Sequence, residues 1–242
     1  MNTLDSKYVD TKKSHDQLNE KLKGNDRFVV LTFYITYVFL MTTATITFIE
    51  SIATDNQKVR HILNLETCIS VVATFFYSKF AKMIHVENIN YKEINVNRYT
   101  DWMITTPLML WVLCLVFCYN NKENFKLSSF MTILILNFAM ILSGYFGEIG
   151  FIQDRNIANV IGFVFFIALY GYIYFTYLYK KSNFDNNMIY GAFLVLWTFY
   201  GVFYQMEEKT KNVGYNILDL LSKCFVGIFF WAYFTKSLVL KK

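Results

Sequence analysis

The sequence predicts an all-α membrane protein, a bundle of seven transmembrane helices, and three observations support this fold class. Of the 242 residues, 55% are hydrophobic and 19% are aromatic, which is typical of a membrane protein. The charged residues fall mostly between long apolar runs. Each run is close to the length, about 20 residues, that a helix needs to cross the hydrocarbon core of a bilayer. We therefore expect a multi-pass membrane protein whose first partner is the lipid bilayer.

The apolar runs define seven candidate spans with short polar loops between them. The spans lie near residues 28–49, 59–83, 98–119, 127–148, 156–179, 187–206 and 214–235. Residues 1–27 are expected to form a polar tail or a short surface helix, and residues 236–242 a short basic cytoplasmic tail. The domain organisation is thus one transmembrane domain, 28–235, between two tails.

The basic residues of the loops predict the orientation of the bundle. One side carries Lys58, Arg60, Lys122, Lys126, Lys180, Lys181, Lys236, Lys241 and Lys242, and the other side carries Lys82, Lys92, Arg155, Lys209 and Lys211. Because cytoplasmic loops of membrane proteins are enriched in lysine and arginine, this distribution favours an N-terminus outside and a C-terminus inside.

Two function classes have little support in the sequence. The net charge is only +5 and the basic residues are scattered, which argues against a nucleic-acid partner. Cysteines and histidines show no metal-ligand spacing. All four cysteines fall within apolar spans, where thiols behave as small hydrophobic groups: they are Cys68, Cys114, Cys118 and Cys224. We predict no metal site and no disulfide framework.

Lys223 is the main candidate functional residue, because it lies in the middle of the seventh apolar span. An ionisable side chain at bilayer depth costs roughly 2.5–3.5 kcal/mol on insertion scales and usually marks a functional site. Asp219 precedes it by four residues and is therefore expected to pair with it on the same helix face. A buried lysine is also suited to forming a Schiff base with an aldehyde.

The third span contains a second polar constellation. Arg98, Asp101 and Thr105 share one helix face, so the guanidinium and the hydroxyl are both expected to support the Asp101 carboxylate. Pro107, the single proline of the chain, removes a helical hydrogen bond, and the hydroxyls of Thr105 and Thr106 are expected to satisfy the freed carbonyl.

Asp101 and Asp219 could nearly neutralise Lys223 and Arg98 in one buried cluster. The alternative to a functional site is an interhelical salt bridge that only fixes packing, although such pairs contribute little stability.

These two constellations resemble the third and seventh helices of microbial rhodopsins, and the pattern is most similar to viral rhodopsins. The resemblance covers residues 28–235. It implies that Lys223 binds all-trans retinal covalently as a Schiff base, that Asp101 is the primary counterion and proton acceptor, and that Asp219 is the second counterion. It also implies that Arg98 gates the extracellular side. The protein is then expected to be a photoactive transporter or receptor and not an enzyme.

The resemblance implies further cofactor-binding residues, which would form the walls around an apolar polyene. They are Trp102, Thr106, Met109, Met140, Gly144, Trp197, Tyr200, Tyr204 and Tyr77, the last of which would orient the second counterion. Aromatic faces above and below a flat ligand suit this purpose. Taken singly, each aromatic side chain is more often ordinary core.

Glu66 is a candidate proton donor to the Lys223 nitrogen. Many proton pumps of the family have a carboxylic donor where this chain has Val112, which cannot donate a proton. Glu66 lies on the second span, 11 residues or about 16 Å before Tyr77 at 1.5 Å per residue. Burial favours the protonated form of a carboxyl group, which suits a donor. The alternatives are a helix-end carboxylate that faces lipid headgroups or lines a water-filled ion path.

The resemblance favours a light-driven outward proton pump. A light-gated cation channel and, with less support, a retinal photosensor remain as alternatives, so the transported species is a proton or a monovalent cation. The resemblance also implies a homo-oligomer, either a trimer or a pentamer.

Overall fold

The seven predicted helices are present in the computed structural model, which describes residues 24–84, 89–179, 181 and 183–235. Within these ranges the chain is helical and contains no strand. The helices are α1 (Gly24–Ala53), α2 (Gln57–Met83), α3 (Tyr91–Asn121), α4 (Leu127–Glu148), α5 (Arg155–Leu178), α6 (Phe184–Tyr204) and α7 (Glu208–Phe234). Each is long and apolar enough to cross a membrane. The predicted tails fall almost entirely outside the described residues, at 1–23 and 236–242.

Short polar side chains cap the first turn of four of the helices. Asn56 accepts hydrogen bonds from the first backbone N–H groups of α2, and Asn90, Asp154 and Asn183 do the same for α3, α5 and α6. Such caps satisfy N–H groups that have no partner within the helix. The loops before these helices can therefore be short.

The helices form a closed ring in chain order, because α7 packs against α1 as well as α6. Helix α3 is the most buried of the seven and also contacts α6 and α7 across the ring.

We call the two ends of the bundle the Lys211 end, where α3 and α7 begin, and the Lys181 end, where α1 and α3 finish. The predicted orientation would place the Lys181 end in the cytoplasm.

Two helices begin six or seven residues earlier than the sequence predicted. Helix α3 starts at Tyr91 instead of residue 98, and α7 starts at Glu208 instead of residue 214. The added turns are polar, so hydropathy does not mark them as membrane-embedded. Their charged and amide side chains bond with one another between helices. Lys211 belongs to α7 and is fully buried, so counting it as a loop charge was wrong.

Two helices contain a π-helical segment. In α5 it covers Tyr174–Leu178 and in α7 it covers Leu220–Phe225. Short π-helical segments inside α-helices occur frequently at functional sites. The segment of α7 contains Lys223, so the wider turn coincides with the residue that the sequence analysis ranked first.

Candidate functional site

The centre of the bundle contains Lys223 between two carboxylates. Its Nζ donates to Oδ2 of Asp101 at 2.7 Å and lies 3.4 Å from Oδ1 of Asp219. All three side chains are at most 1% exposed. The predicted pairing of Lys223 with Asp219 is therefore present, but the shorter contact joins α7 to α3.

Besides Lys223, Asp219 has two hydrogen-bond donors and one further cation as partners. Tyr77 donates to its Oδ2 at 2.9 Å, Tyr200 donates to its Oδ1 at 2.7 Å, and Nη1 of Arg98 lies 3.6 Å from Oδ2. Both carboxylate oxygens of Asp219 therefore accept a hydrogen bond from a tyrosine.

Asp101 has a much poorer set of partners. Its Oδ2 accepts from Lys223, whereas its buried Oδ1 has no hydrogen-bond partner among the described side chains. The Thr105 hydroxyl donates to the backbone carbonyl of Asp101 at 2.9 Å, and Arg98 pairs with Asp219 instead. The prediction that both residues support the Asp101 carboxylate was wrong. Helical spacing put them on one face, but the side chains reach other groups.

The threonines near Pro107 also differ from the prediction. Thr106 donates to the carbonyl of Trp102 at 2.7 Å and accepts from Nδ2 of Asn137 at 2.9 Å. The carbonyl that Pro107 leaves without its usual donor is that of Met103, so the threonine hydroxyls bond the two preceding carbonyls. This hydrogen bond from the fully buried Asn137 connects α4 to α3 beside the proline.

Arg98 is enclosed by amides and aromatic rings. Its Nε donates to Oδ1 of Asn212 at 3.2 Å, and its Nη2 donates to Oδ1 of Asn216. Its guanidinium carbon lies 5.1 Å from the ring centroid of Phe33 and 5.0 Å from that of Phe80. A fully buried cation thereby has both hydrogen-bond acceptors and aromatic faces.

A second charged cluster lies at the Lys211 end and was missed by the sequence analysis. Lys211 Nζ lies 3.0 Å from Glu148 Oε1 and 2.8 Å from Glu208 Oε1. Asn95 donates to both carboxylates, and its own Oδ1 accepts from Asn212, which also bonds Arg98.

Residue spacing gave a signal for this cluster. Polar residues at 95, 98, 101 and 105, and at 212, 216, 219 and 223, follow helical spacing toward the Lys211 end.

An apolar cavity next to Lys223 contains most of the predicted cofactor-binding residues. Its free space, including the open mouth, is about 780 Å³. Nine of the predicted residues line it: Lys223, Trp102, Thr106, Met109, Met140, Gly144, Trp197, Tyr200 and Tyr204. Tyr77 does not line it and instead contacts Asp219. Tyr99, Phe163, Phe166 and Tyr215 also line the cavity but were not predicted.

Glu66 lies inside the bundle, near the Lys181 end. Its residue exposure is 2%, which excludes a carboxylate that faces lipid headgroups. A methyl group added at Gly227 would lie 3.1 Å from its Oε2, so the carboxyl group faces α7 one turn after Lys223. Asp219 lies one turn before Lys223. The two carboxyl groups therefore lie on opposite sides of the lysine along α7.

Metal-ligand geometry is missing from the described ranges 24–84, 89–179 and 183–235. No group of three or more histidine, cysteine, aspartate or glutamate side chains there could hold a metal ion. The four cysteines are free thiols, and Cys114, Cys118 and Cys224 are buried.

Comparisons with known proteins find the same fold elsewhere. The chain is 54% identical to viral rhodopsin OLPVRII, with 87% of this chain and 99% of that one covered and a TM-score of 0.82. It has the fold of xanthorhodopsin, described as a light-driven ion pump with dual chromophore, at 19% identity, 89% and 95% coverage and a TM-score of 0.73. Opsin-1 of Neurospora crassa is 24% identical over 159 residues, which are 58% of this chain and 49% of that protein. The matched segment thus spans about half the length of this fungal relative.

The family profile described as "Bacteriorhodopsin-like protein" matches residues 28–237. This range covers the whole predicted domain, 28–235, and reaches all seven membrane helices. The resemblance to viral rhodopsins is confirmed by the similarity to OLPVRII. Because the match includes both Lys223 and the carboxylates that surround it, we conclude that this multi-pass membrane protein belongs to the bacteriorhodopsin-like family.

Proposed function

We propose that this protein is a light-driven outward proton pump that carries all-trans retinal on Lys223. The proposal rests on the position of Lys223 between two carboxyl groups. Its Nζ lies 2.7 Å from Asp101, and the carboxyl group of Glu66 lies beside Gly227, one helical turn further along α7. A proton acceptor and a proton donor on opposite sides of one nitrogen are what vectorial transfer requires.

The cavity fits the proposed cofactor. It ends at Lys223, and its walls include Trp102 and Trp197, whose buried indole nitrogens have no partner among the described residues. Flat apolar walls suit a linear polyene. When bound, retinal would supply light absorption and a change of shape that redirects the N–H of Lys223.

Asp101 is the proton acceptor in this proposal. Both carboxylates stabilise a positive charge on Lys223 while the protein is in the dark. Asp219 already accepts hydrogen bonds from Tyr77 and Tyr200, so both of its oxygens have a partner. The unpartnered Oδ1 of Asp101 makes that carboxylate the one that more readily takes a proton.

Glu66 is the proton donor in this proposal. No described residue donates to its carboxyl group or forms a salt bridge with it, and its surroundings are buried. A carboxyl group without a cationic partner in a low-dielectric interior favours its neutral form. A neutral acid on the far side of Lys223 from Asp219 can return a proton to Nζ from the Lys181 end.

Current measurements separate the pump from its alternatives. The protein is illuminated in cells or liposomes while current is recorded against voltage. Outward current at zero driving force supports the pump. A reversal potential that follows a cation gradient indicates a light-gated channel, and the lack of any current indicates a photosensor. The oligomer that the family resemblance implies, a trimer or a pentamer, is measured by native mass spectrometry on the same preparation.

The donor role has its own test. Glu66→Gln is expected to slow reprotonation of the Lys223 nitrogen by about 100-fold, the lower limit for loss of a positioned acid. Glu93→Gln, at an exposed position, is the matched control. Equal kinetics in the two variants would exclude Glu66 as donor.

A further inference from the structure

We propose that Glu66 exchanges protons with the surface through a polar route along α1, from Thr43 through Thr47 and Ser51 to Glu50. The inference rests on the proposed function and adds the residues that supply the donor with its proton.

Two unpartnered hydroxyl groups lie on the helices beside Glu66, where the route begins. Thr43 Oγ1 and Ser70 Oγ are fully buried and have no hydrogen-bond partner within the described part of the chain. Ser70 follows Glu66 by one turn on the same face of α2. A methyl group added at Gly227 would lie 2.9 Å from Thr43 Cγ2 and 3.1 Å from Glu66 Oε2. Buried polar groups without protein partners are usually bridged by water, so this is a site where water can reach Glu66.

The route continues along one face of α1. Thr43, Thr47 and Ser51 are spaced by four residues and are 0%, 0% and 2% exposed. Glu50 follows Thr43 by seven residues and so lies on the same face. The distance along the helix from Thr43 to Ser51 is about 12 Å at 1.5 Å per residue. The row of hydroxyl groups therefore extends from the depth of Glu66 to the Lys181 end of the bundle.

Bonds to neighbouring helices position the route. The hydroxyls of Thr47 and Thr67 are 2.9 Å apart, and Thr67 directly follows Glu66 in α2. At the outer end, Nε1 of Trp231 donates to Oε2 of Glu50 at 3.3 Å, and Glu50 is only half-buried. Trp231 follows Gly227 by one turn of α7. The route thus runs between α1, α2 and α7.

The buried core between α2 and α3 is mostly apolar. There the residues of α2 and α3 belong to an apolar core cluster. Val112, Leu113 and Val116 of α3 are fully buried in it, and Phe230 of α7 closes the same cluster. Hydroxyl groups, in contrast, can both donate and accept.

The test uses two matched threonines of α1. Thr45 donates to the carbonyl four residues before it, as Thr47 does, but Thr45 is exposed on the outer face. Thr47→Val is expected to slow proton supply to Glu66 at least about tenfold, since a positioned transfer group contributes about 10²–10⁴-fold. Thr45→Val is expected to change nothing, and Thr47→Ser, which keeps the hydroxyl, is expected to retain the parent rate.

Two measurements are made on each full-length variant. In the dark, infrared spectroscopy follows the shift of the Glu66 carboxyl band after transfer to D₂O, and Glu66→Gln identifies that band. After a light flash, absorption spectroscopy follows the reprotonation of Glu66. Glu50→Gln and Ser51→Ala are measured as well, so that the test does not depend on the folding of one variant.

The outcomes separate this inference from the proposed function. Slower exchange in Thr47→Val and Glu50→Gln, with Thr45→Val unchanged, supports the route even when no pump current is found. Equal exchange rates in all of these variants overturn the route. If Glu66→Gln slows reprotonation while the route variants do not, Glu66 remains the donor and its proton arrives by another path.

Discussion

Lys211 Nζ lies 3.0 Å from Glu148 Oε1, and the two side chains are 0% and 6% exposed. The pair joins the start of α7 to the end of α4. Through Asn95 and Asn212 it also connects with Arg98 and hence with Asp219. The two charged clusters of the bundle are therefore joined by amides, which bond to both carboxylates and cations without adding charge.

Removing the Lys211 charge is expected to destabilise the protein. Lys211→Met leaves the buried Glu148 without its closest cation, and breaking a buried pair in this way costs about 3–5 kcal/mol. The loss is measured as a lower midpoint of thermal unfolding. Lys92→Met, at an exposed position of α3, is the control and should unfold like the parent.

A second substitution checks the cause. Adding Glu148→Gln to Lys211→Met removes the uncompensated charge and should recover part of the stability. If the double variant is less stable than Lys211→Met, the loss comes from packing and the electrostatic explanation is wrong.

Lys223→Ala is expected to abolish pigment formation with all-trans retinal. The cavity stays in place, but the nitrogen that forms the covalent bond is gone. The measurement is the visible absorption band after retinal is added to the purified protein. Lys79→Ala, which removes an exposed lysine that bonds Asn97, should form pigment normally. A stable visible band in Lys223→Ala would contradict the assignment.

The two aspartates are expected to respond differently to neutralisation. Asp101→Asn removes the acceptor, so a flash should no longer produce the form in which the Lys223 nitrogen has lost its proton. Asp219→Asn should still produce that form, because the 2.7 Å contact with Asp101 remains. Flash spectroscopy of both pigments makes the comparison. The opposite result would make Asp219 the acceptor.

Gly227→Ala is expected to disturb Glu66 and to lower stability. The new methyl group would lie 2.9 Å from Thr43 Cγ2 and 3.1 Å from Glu66 Oε2, and overpacking of this kind costs about 1–3 kcal/mol. Gly191→Ala is the control, since nothing lies within 4 Å of the position that its methyl group would take. That change should stabilise α6 by about 0.5–1 kcal/mol. Thermal unfolding and reprotonation kinetics are measured on both.

Hydropathy predicted the number of helices but placed the starts of α3 and α7 too late. The missing turns contain Asn95, Glu208 and Lys211, which a hydropathy profile scores as polar. In the folded protein these residues bond with one another. Their burial depends on partners from other helices, which the local sequence does not reveal.

Within the site, the spacing of four residues predicted that Lys223 and Asp219 meet, because both belong to one helix. The same reasoning failed for Asp101, whose supposed supports Arg98 and Thr105 bond elsewhere. Helical spacing decides which side chains share a face. Which partner each side chain takes depends on the helices across the bundle.

The sequence alone thus determined a seven-helix membrane protein with a lysine and two carboxylates inside it, because apolar length and helical spacing are local properties. Tertiary structure decided that Lys223 is closer to Asp101 than to Asp219, that Glu66 faces Gly227, and that Lys211 is buried. These contacts join side chains far apart in the chain, and their distances are fixed by how the helices pack.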